Sequence, residues 1–157
     1  MSEISVESLV RKAFELISVN AQAKDIQLVQ RSTALNVFAD ETFTLQILVN
    51  LISNAIKFSE AKRSVEISAE ESGNYVIIKV KDHGRGVPEA YKQKIFERFS
   101  QVEPEDRSVK GGSGLGLAIC KALAEAQSGS LGLDSEMGKG STFWVKLKRS
   151  FRHEEAE

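Results

Sequence analysis

The chain has 157 residues, of which 41% are hydrophobic and 27% charged, a balance typical of one globular domain with a sizeable core. Its formal net charge of −1 disfavours a nucleic-acid-binding protein, because such proteins concentrate Lys and Arg. No apolar run reaches the roughly 18 residues that span a bilayer and no signal peptide opens the chain, so we expect no direct membrane insertion by this domain.

Apolar periodicity predicts two helices and four strands in the first half of the chain. Ser5 and Asp40 precede the two helical patterns, and both are residue types that cap helices. Alternating apolar residues and a turn around Gly73 predict a hairpin after the second helix. The expected elements are a helix at 6–23, strands at 26–29 and 36–39, a helix at 40–58, and strands at 64–70 and 75–80.

The second half of the chain is rich in glycine, since ten of the 11 glycines lie between Gly84 and Gly140. We expect a short helix at 88–96, a lid at 100–110, a helix at 115–127, and strands at 130–135 and 141–147. The central hairpin breaks a strict alternation of strands with helices. The order therefore predicts a two-layer α/β sandwich over residues 1–149, with one mixed sheet and its helices on one face, followed by a charged, disordered tail at 150–157.

One side of the predicted helix at 40–58 is polar: Gln46, Asn50, Ser53, Asn54 and Lys57. A solvated face is one explanation of this stripe. However, Asn is a poor helix former and occurs here twice at a spacing of four residues, and the helix has no acid after Glu41. An Asn carbonyl oxygen is a hard ligand for Mg²⁺ and Lys supplies a cation for phosphate, so a metal–phosphate site is the alternative.

Asp82 ends a strand and is followed by Gly84 and Gly86, which favours either an ordinary turn or a carboxylate held in a pocket. We expect His83 to be an exposed turn residue, because no other His or Cys lies near it in the sequence. Cys120 is the one cysteine, fits a reducing compartment, and is expected to be a small buried residue on a helix.

Four glycines between Gly111 and Gly116 lead directly into a predicted helix. Free N–H groups at a helix start favour an anion, although a helix that needs only a flexible approach would show the same pattern. The segment is neither a Walker A loop, since no Gly-Lys-Ser/Thr follows, nor a dinucleotide fingerprint, since Leu117 replaces the third glycine.

Together these segments resemble the catalytic and ATP-binding domain of sensor histidine kinases, in the GHKL superfamily shared with gyrase, certain chaperones and mismatch-repair ATPases. Residues 50–58, 82–88, 95–99, 112–117 and 138–143 resemble, in the family's order, its asparagine box, first glycine box, phenylalanine box, second glycine box and closing motif. The resemblance runs from about Ile4 to Lys148. It implies the Bergerat-type ATP-binding fold with a mobile ATP lid.

The resemblance implies a site for ATP and Mg²⁺. Asn54, with Asn50 beside it, is the implied metal ligand, and Lys57 contacts phosphate. Asp82 accepts a hydrogen bond from the adenine amino group, and Phe58 lies near the base or ribose. Thr142 is implied to support the Asp82 end of the pocket. The rest of the implied ATP-binding set comprises the glycines that approach the nucleotide or anchor the lid, and their neighbours: Gly84, Gly86, Val87, Phe99, Gly112, Gly114, Leu115, Gly116 and Leu117.

Two departures from the relatives bear on the reaction. ATP-hydrolysing relatives carry a water-activating Glu where this chain has Asn50, which favours phosphate transfer over hydrolysis. The family's acceptor histidine lies on a preceding helical hairpin, whereas this chain has only His83 and His153. The resemblance thus implies a cytoplasmic protein-histidine kinase domain with no phosphoacceptor of its own. Its implied partners are the dimerisation and histidine phosphotransfer domain of the same protein and, indirectly, a response regulator. The whole protein can be a membrane-bound sensor with this domain on its cytosolic side.

Two other functions are compatible with the same motifs. One is a non-catalytic module that senses ATP by ordering its lid. The other is a serine kinase of the anti-sigma-factor type, although the phenylalanine box and the long lid fit the histidine kinases better. Phosphate transfer to a histidine hairpin distinguishes these functions.

Overall fold

The computed structural model describes residues 1–84, 116–136 and 138–150. The elements in these ranges are β1 (Ser2–Ser5), α1 (Val6–Ala23), β2 (Gln27–Gln30), β3 (Asn36–Ala39), α2 (Glu41–Phe58), β4 (Ser64–Ser72), β5 (Tyr75–Lys81), α3 (Gly116–Ala126), β6 (Ser130–Glu136) and β7 (Gly140–Ser150). No helix in these ranges is both long and apolar enough to cross a membrane.

The described strands form one sheet in the order β1-β3-β7-β5-β4-β2, with β6 paired to the first part of β7. Only the β2–β4 pair is parallel, and the other described pairs are antiparallel. This mixed sheet confirms the fold class expected from the sequence.

The register of β5 and β7 separates the two faces of the sheet. Ile78 lies opposite Val145 and Val80 lies opposite Phe143, and all four side chains are buried. They form the core with the apolar faces of α1 and α2 and with buried residues of α3. The alternate positions of both strands, apart from Gly140, are half-buried or exposed. The helices therefore cover one face of the sheet, as predicted.

Local capping explains why the two long helices begin where they do. The Ser5 hydroxyl accepts a hydrogen bond from the backbone N–H of Ser8 at 3.2 Å, and the Asp40 carboxylate accepts one from that of Phe43 at 2.9 Å. Such side-chain acceptors satisfy N–H groups that have no partner inside the helix. Both predicted caps are confirmed.

Strand ends differ from the prediction where distant partners extend them. β7 reaches Ser150, because its last residues pair with Asn36 and Val37 of β3. Ser150 thus belongs to the sheet, whereas we expected the tail to begin there. β1 is an additional strand that pairs with β3. The helix expected at 88–96, the lid at 100–110 and residues 151–157 lie outside the described residues.

Candidate functional site

Helix α2 brings Asn50, Asn54 and Lys57 to one side of the fold. Its opposite side is fixed in the core by fully buried residues such as Leu48 and Ile52. The three polar residues are half-buried, and their spacing of four and three residues aligns them on one helix face. Two amide groups and one ammonium group therefore share a partly enclosed environment.

Lys24 closes the C-terminal end of α2, next to these polar residues. Its Nζ donates to the backbone carbonyl oxygens of Ile56 at 3.0 Å and Lys57 at 2.6 Å. Carbonyls in the last helical turn have no partner within the helix, and a cation there also interacts favourably with the helix dipole. The role of Lys24 could not be predicted from the sequence, because nothing in the local pattern of α1 shows that its end reaches α2.

Asp82, directly after β5, is a buried carboxylate with only 1% of its surface exposed. Its Oδ1 accepts hydrogen bonds from the backbone N–H groups of Gly84 at 3.0 Å and Ser141 at 3.1 Å. Burial raises the pKa of Asp82 above its ordinary value, while these two hydrogen bonds and the nearby His83 oppose that shift. Both of these backbone N–H groups donate to Oδ1 of Asp82, and neither of them donates to Oδ2.

Two glycines allow the backbone to pass close to Asp82. A Cβ on Gly84 would overlap the carbonyl group of Phe58, at the end of α2, and would lie 3.3 Å from Oδ1 of Asp82. Gly140 has φ +91°, and a Cβ there would overlap the carbonyl group of Asp82. The requirement for glycine at Gly84 is therefore steric, and at Gly140 it is both steric and conformational.

Ser141, rather than Thr142, contacts Asp82. Besides the bond to Oδ1, the Ser141 carbonyl accepts from the Asp82 N–H at 2.8 Å. Strand alternation turns Thr142 to the opposite face, where it lies across from Lys81 and Asp134 and lines an open cavity of about 310 Å³ with them. We expected Thr142 to support the Asp82 end of the pocket, and this contact corrects that position by one residue.

His83 is half-buried and hydrogen-bonded, whereas we expected an exposed turn residue. Its Nδ1 lies 2.8 Å from the carbonyl oxygen of Ser64, and its backbone N–H donates to the Ser59 hydroxyl at 3.2 Å. The Nδ1 atom therefore carries the proton of this hydrogen bond. These contacts fix the segment after Asp82 to β4 and to the end of α2.

Helix α3 spans Gly116–Ala126, so it starts with the last glycine of the run, and it packs along α2. Leu117 packs against the core, and Cys120 is fully buried, as expected from the sequence. The structure thus places eight residues of the predicted set on α2, just after β5 and at the start of α3: Asn50, Asn54, Lys57, Phe58, Asp82, Gly84, Gly116 and Leu117. Six residues of the predicted set lie outside the described residues: Gly86, Val87, Phe99, Gly112, Gly114 and Leu115.

The donor set on α2 fits a hard cation such as Mg²⁺. Within the described residues no cluster of three or more His, Cys, Asp or Glu side chains could hold a metal ion. Asn50 and Asn54 offer amide oxygens at neighbouring positions of one helix, and Mg²⁺ commonly takes few protein oxygens together with water and substrate phosphates. The residues present therefore fit an ion held jointly with a phosphate group.

Comparison with known proteins shows the family of this chain. The model of the family described as histidine kinase-, DNA gyrase B- and HSP90-like ATPase matches residues 39–150, so the chain belongs to that family. The circadian input-output histidine kinase CikA of Synechococcus elongatus is 37% identical over 145 residues, which make up 90% of this chain and 19% of CikA.

Solved structures show the same fold. Full-length ShkA in complex with AMPPNP matches with a TM-score of 0.83 at 35% identity, over 96% of this chain and 31% of ShkA. The nucleotide-free catalytic domain of the histidine kinase ThkA matches with a TM-score of 0.80 at 26% identity, over 94% of this chain and 95% of that domain. The chain thus spans less than a third of CikA or ShkA. The resemblance to the catalytic domain of sensor histidine kinases is confirmed.

Proposed function

We propose that this chain binds ATP with Mg²⁺ and transfers the γ-phosphate to a histidine of a separate dimerisation domain of the same protein, which then serves a response regulator. The observation that carries the proposal is the buried carboxylate of Asp82. Gly84 and Ser141 hold its Oδ1 and leave Oδ2 to accept a hydrogen bond from the adenine amino group. Burial strengthens that bond, because water competes less for the carboxylate.

The phosphate end of the site is assigned to α2. Lys57 supplies a positive charge to the phosphates, and Asn54 and Asn50 supply oxygen ligands to the metal. Bound Mg²⁺ would neutralise charge on the phosphates and orient them for transfer. Gly116 and Leu117, at the start of α3, complete the glycine segment whose backbone N–H groups are proposed to meet the phosphates.

Transfer is favoured over hydrolysis because Asn50 cannot act as a general base. The amide has no useful basicity, so water near the γ-phosphate is not activated by this position. We place the acceptor on a histidine outside this chain, because His83 is engaged with Ser64 and the family carries its acceptor on a preceding helical hairpin. We assign the reaction to the cytoplasm, where ATP is available and a free thiol such as Cys120 stays reduced.

The test is incubation of the chain with γ-labelled ATP and Mg²⁺, with and without the dimeric histidine-bearing domain of the same protein. We expect label on that domain, labile in acid and stable in base, and no rapid labelling or hydrolysis by this chain alone. Rapid acid-stable labelling of Ser or Thr on a protein substrate would identify a serine kinase instead. ATP binding without transfer to the folded acceptor domain would identify a module that only senses ATP.

A further inference from the structure

Ser59 follows α2 directly and is a buried polar residue, with 2% of its surface exposed. Its backbone N–H donates to the carbonyl oxygen of Ala55 at 3.0 Å, and its own backbone is extended, with φ −77° and ψ 150°. Lys24 also bonds the carbonyl oxygens of Ile56 and Lys57 in the last helical turn. The position of the Ser59 hydroxyl is therefore set by the end of the helix that carries the proposed phosphate and metal contacts.

The same serine contacts the backbone that follows Asp82. Its hydroxyl accepts a hydrogen bond from the backbone N–H of His83 at 3.2 Å, and Ser59 and Gly84 form an isolated antiparallel bridge. The N–H of Gly84 in turn donates to Oδ1 of Asp82 at 3.0 Å. A short chain of contacts therefore runs from the end of α2 through Ser59 to the carboxylate that is proposed to recognise adenine.

The Ser59 hydroxyl joins this segment to a different element than its other contacts do. The His83 ring bonds the carbonyl oxygen of Ser64, in β4, at 2.8 Å. The backbone N–H of Ser141, in β7, bonds Oδ1 of Asp82 at 3.1 Å. Both of these contacts fix the segment to the sheet, whereas the Ser59 hydroxyl fixes it to the end of α2. Because an N–H group that loses its acceptor must find another partner, removal of the hydroxyl would let the backbone after Asp82 shift relative to α2.

We propose that Ser59 is a positioning residue for adenine recognition. Its hydroxyl holds the backbone of His83 and Gly84 against the end of α2, and this backbone keeps the Asp82 carboxylate in the orientation that accepts a hydrogen bond from the adenine amino group. The inference rests on the proposed function, because it concerns the base contact of the same ATP site. Ser59 acts through Asp82 rather than on the nucleotide, so its effect should appear in the choice of base.

The experiment measures by calorimetry the affinity of the chain for ATP and for inosine triphosphate, each with Mg²⁺. Inosine carries a carbonyl oxygen where adenosine carries the amino group, so the ratio of the two dissociation constants reports the base contact. We expect Ser59→Ala to reduce this preference for ATP about 2- to 10-fold, as for the loss of one hydrogen bond. Ser59→Thr keeps the hydroxyl and should keep most of the preference. Ser59→Cys has a weaker acceptor of similar size, should also reduce the preference, and replaces Ser59→Ala if that variant does not fold.

Thr44→Val is the matched control for the loss of a buried hydroxyl. Thr44 is fully buried near the start of α2, at the opposite end of the helix from Ser59. Its hydroxyl donates to Oε1 of Gln127 at 3.4 Å, and the same oxygen accepts from the backbone N–H of Asp40 at 2.7 Å. Thr44→Val should therefore lower the unfolding free energy and leave the preference for ATP unchanged.

A double-mutant cycle separates positioning of Asp82 from general destabilisation. In an Asp82→Ala background, Ser59→Ala should have no further effect on the preference, because the group it positions is gone. An unchanged preference in Ser59→Ala and Ser59→Cys would overturn the inference, and so would an equal reduction in Thr44→Val, in Ser59→Thr, or with and without Asp82. If the wild-type chain binds the two nucleotides equally well, the adenine contact of Asp82 fails, and that result overturns the proposed function rather than the role of Ser59 alone.

Discussion

Gly84→Ala probes the closest approach in the site, between the segment after β5 and the end of α2. A Cβ at this position would lie 2.9 Å from the carbonyl carbon of Phe58 and still closer to the attached oxygen. Non-bonded carbon atoms pack at about 3.5 Å, so the carbonyl carbon alone requires the two segments to separate by about 0.6 Å, and the closer oxygen requires more. Gly84 has no positive φ, and the expected cost is therefore steric rather than conformational.

The displacement should act on both stability and binding. Overpacking of this kind costs about 1–3 kcal/mol of unfolding free energy. The N–H of Gly84 also bonds Oδ1 of Asp82 at 3.0 Å, so movement of Gly84 redirects the carboxylate. If the hydrogen bond from Asp82 to adenine is lost, ATP affinity should fall about 10- to 100-fold, since bonds to charged groups contribute roughly 1.5–3 kcal/mol.

Denaturant unfolding followed by circular dichroism, and calorimetric titration with ATP, measure the two effects. Gly73→Ala is the matched control, because Gly73 has φ +61° in the β4–β5 hairpin turn and a Cβ there meets no atom within 4 Å. It should cost about 1–2 kcal/mol through backbone strain and leave ATP affinity unchanged. Wild-type stability and wild-type affinity in Gly84→Ala would refute the assigned role of this contact.

Three further substitutions test separate parts of the site. Asp82→Asn should weaken ATP about 10- to 100-fold in calorimetry. It should also raise the unfolding free energy of the ligand-free chain at pH 7. The pKa of Asp82 is raised in the folded chain, so ionisation of Asp82 lowers stability as the pH rises above 3.8. The stability gained by Asp82→Asn should therefore vanish below that pH. Asn54→Ala should abolish the Mg²⁺-dependent increase in ATP affinity measured by the same titration. Lys24→Met should lower the unfolding free energy by about 1–2 kcal/mol in denaturant unfolding, since it removes the cation that bonds the last carbonyls of α2.

Exposed residues of the same types provide the controls for these substitutions. Asn20 is exposed on α1, so Asn20→Ala should leave the response to Mg²⁺ unchanged. Lys12 forms an exposed ion pair with Glu41 at 2.6 Å, and Lys12→Met should cost less than about 1 kcal/mol. Equal losses for Lys24→Met and Lys12→Met would contradict the capping role of Lys24, and an unaltered response in Asn54→Ala would remove Asn54 from the metal site.

The elements that could be predicted from the sequence are those whose caps, apolar periodicity or turn residues lie within the element itself. The helices α1 and α2 carry both their caps and their apolar periodicity within their own residues, and the hairpin around Gly73 carries its turn. β1 was missed because Ser2–Ser5 contains a single apolar residue, Ile4, and becomes a strand only by pairing with β3. The extension of β7 to Ser150 has the same cause, since its partner lies more than a hundred residues earlier in the sequence.

The site was predictable to the extent that its motifs are contiguous. The polar face of α2 follows from residue spacing, whereas the pocket role of Asp82 came from the family resemblance, because the sequence pattern alone left an ordinary turn open. Lys24 and Gln127 act across 33 and 87 residues of sequence respectively, and no local pattern marks such contacts. The choice between Ser141 and Thr142 depends on which face of β7 is buried, and a one-residue change of strand register reverses that choice. Here the alternation of buried Phe143 and Val145 with half-buried Trp144 could have identified Ser141 as the inward residue.

The selectivity of nucleotide binding tests the central claim most directly. Calorimetric titration of the chain with ATP and with GTP, each in the presence of Mg²⁺, compares an amino group with a carbonyl oxygen at the position facing Asp82. We predict that ATP binds and that GTP binds at least about 10-fold more weakly, because a buried carboxylate can accept a hydrogen bond from adenine but meets a second acceptor in guanine. Equal affinity for the two nucleotides, or no binding of ATP, would contradict the account.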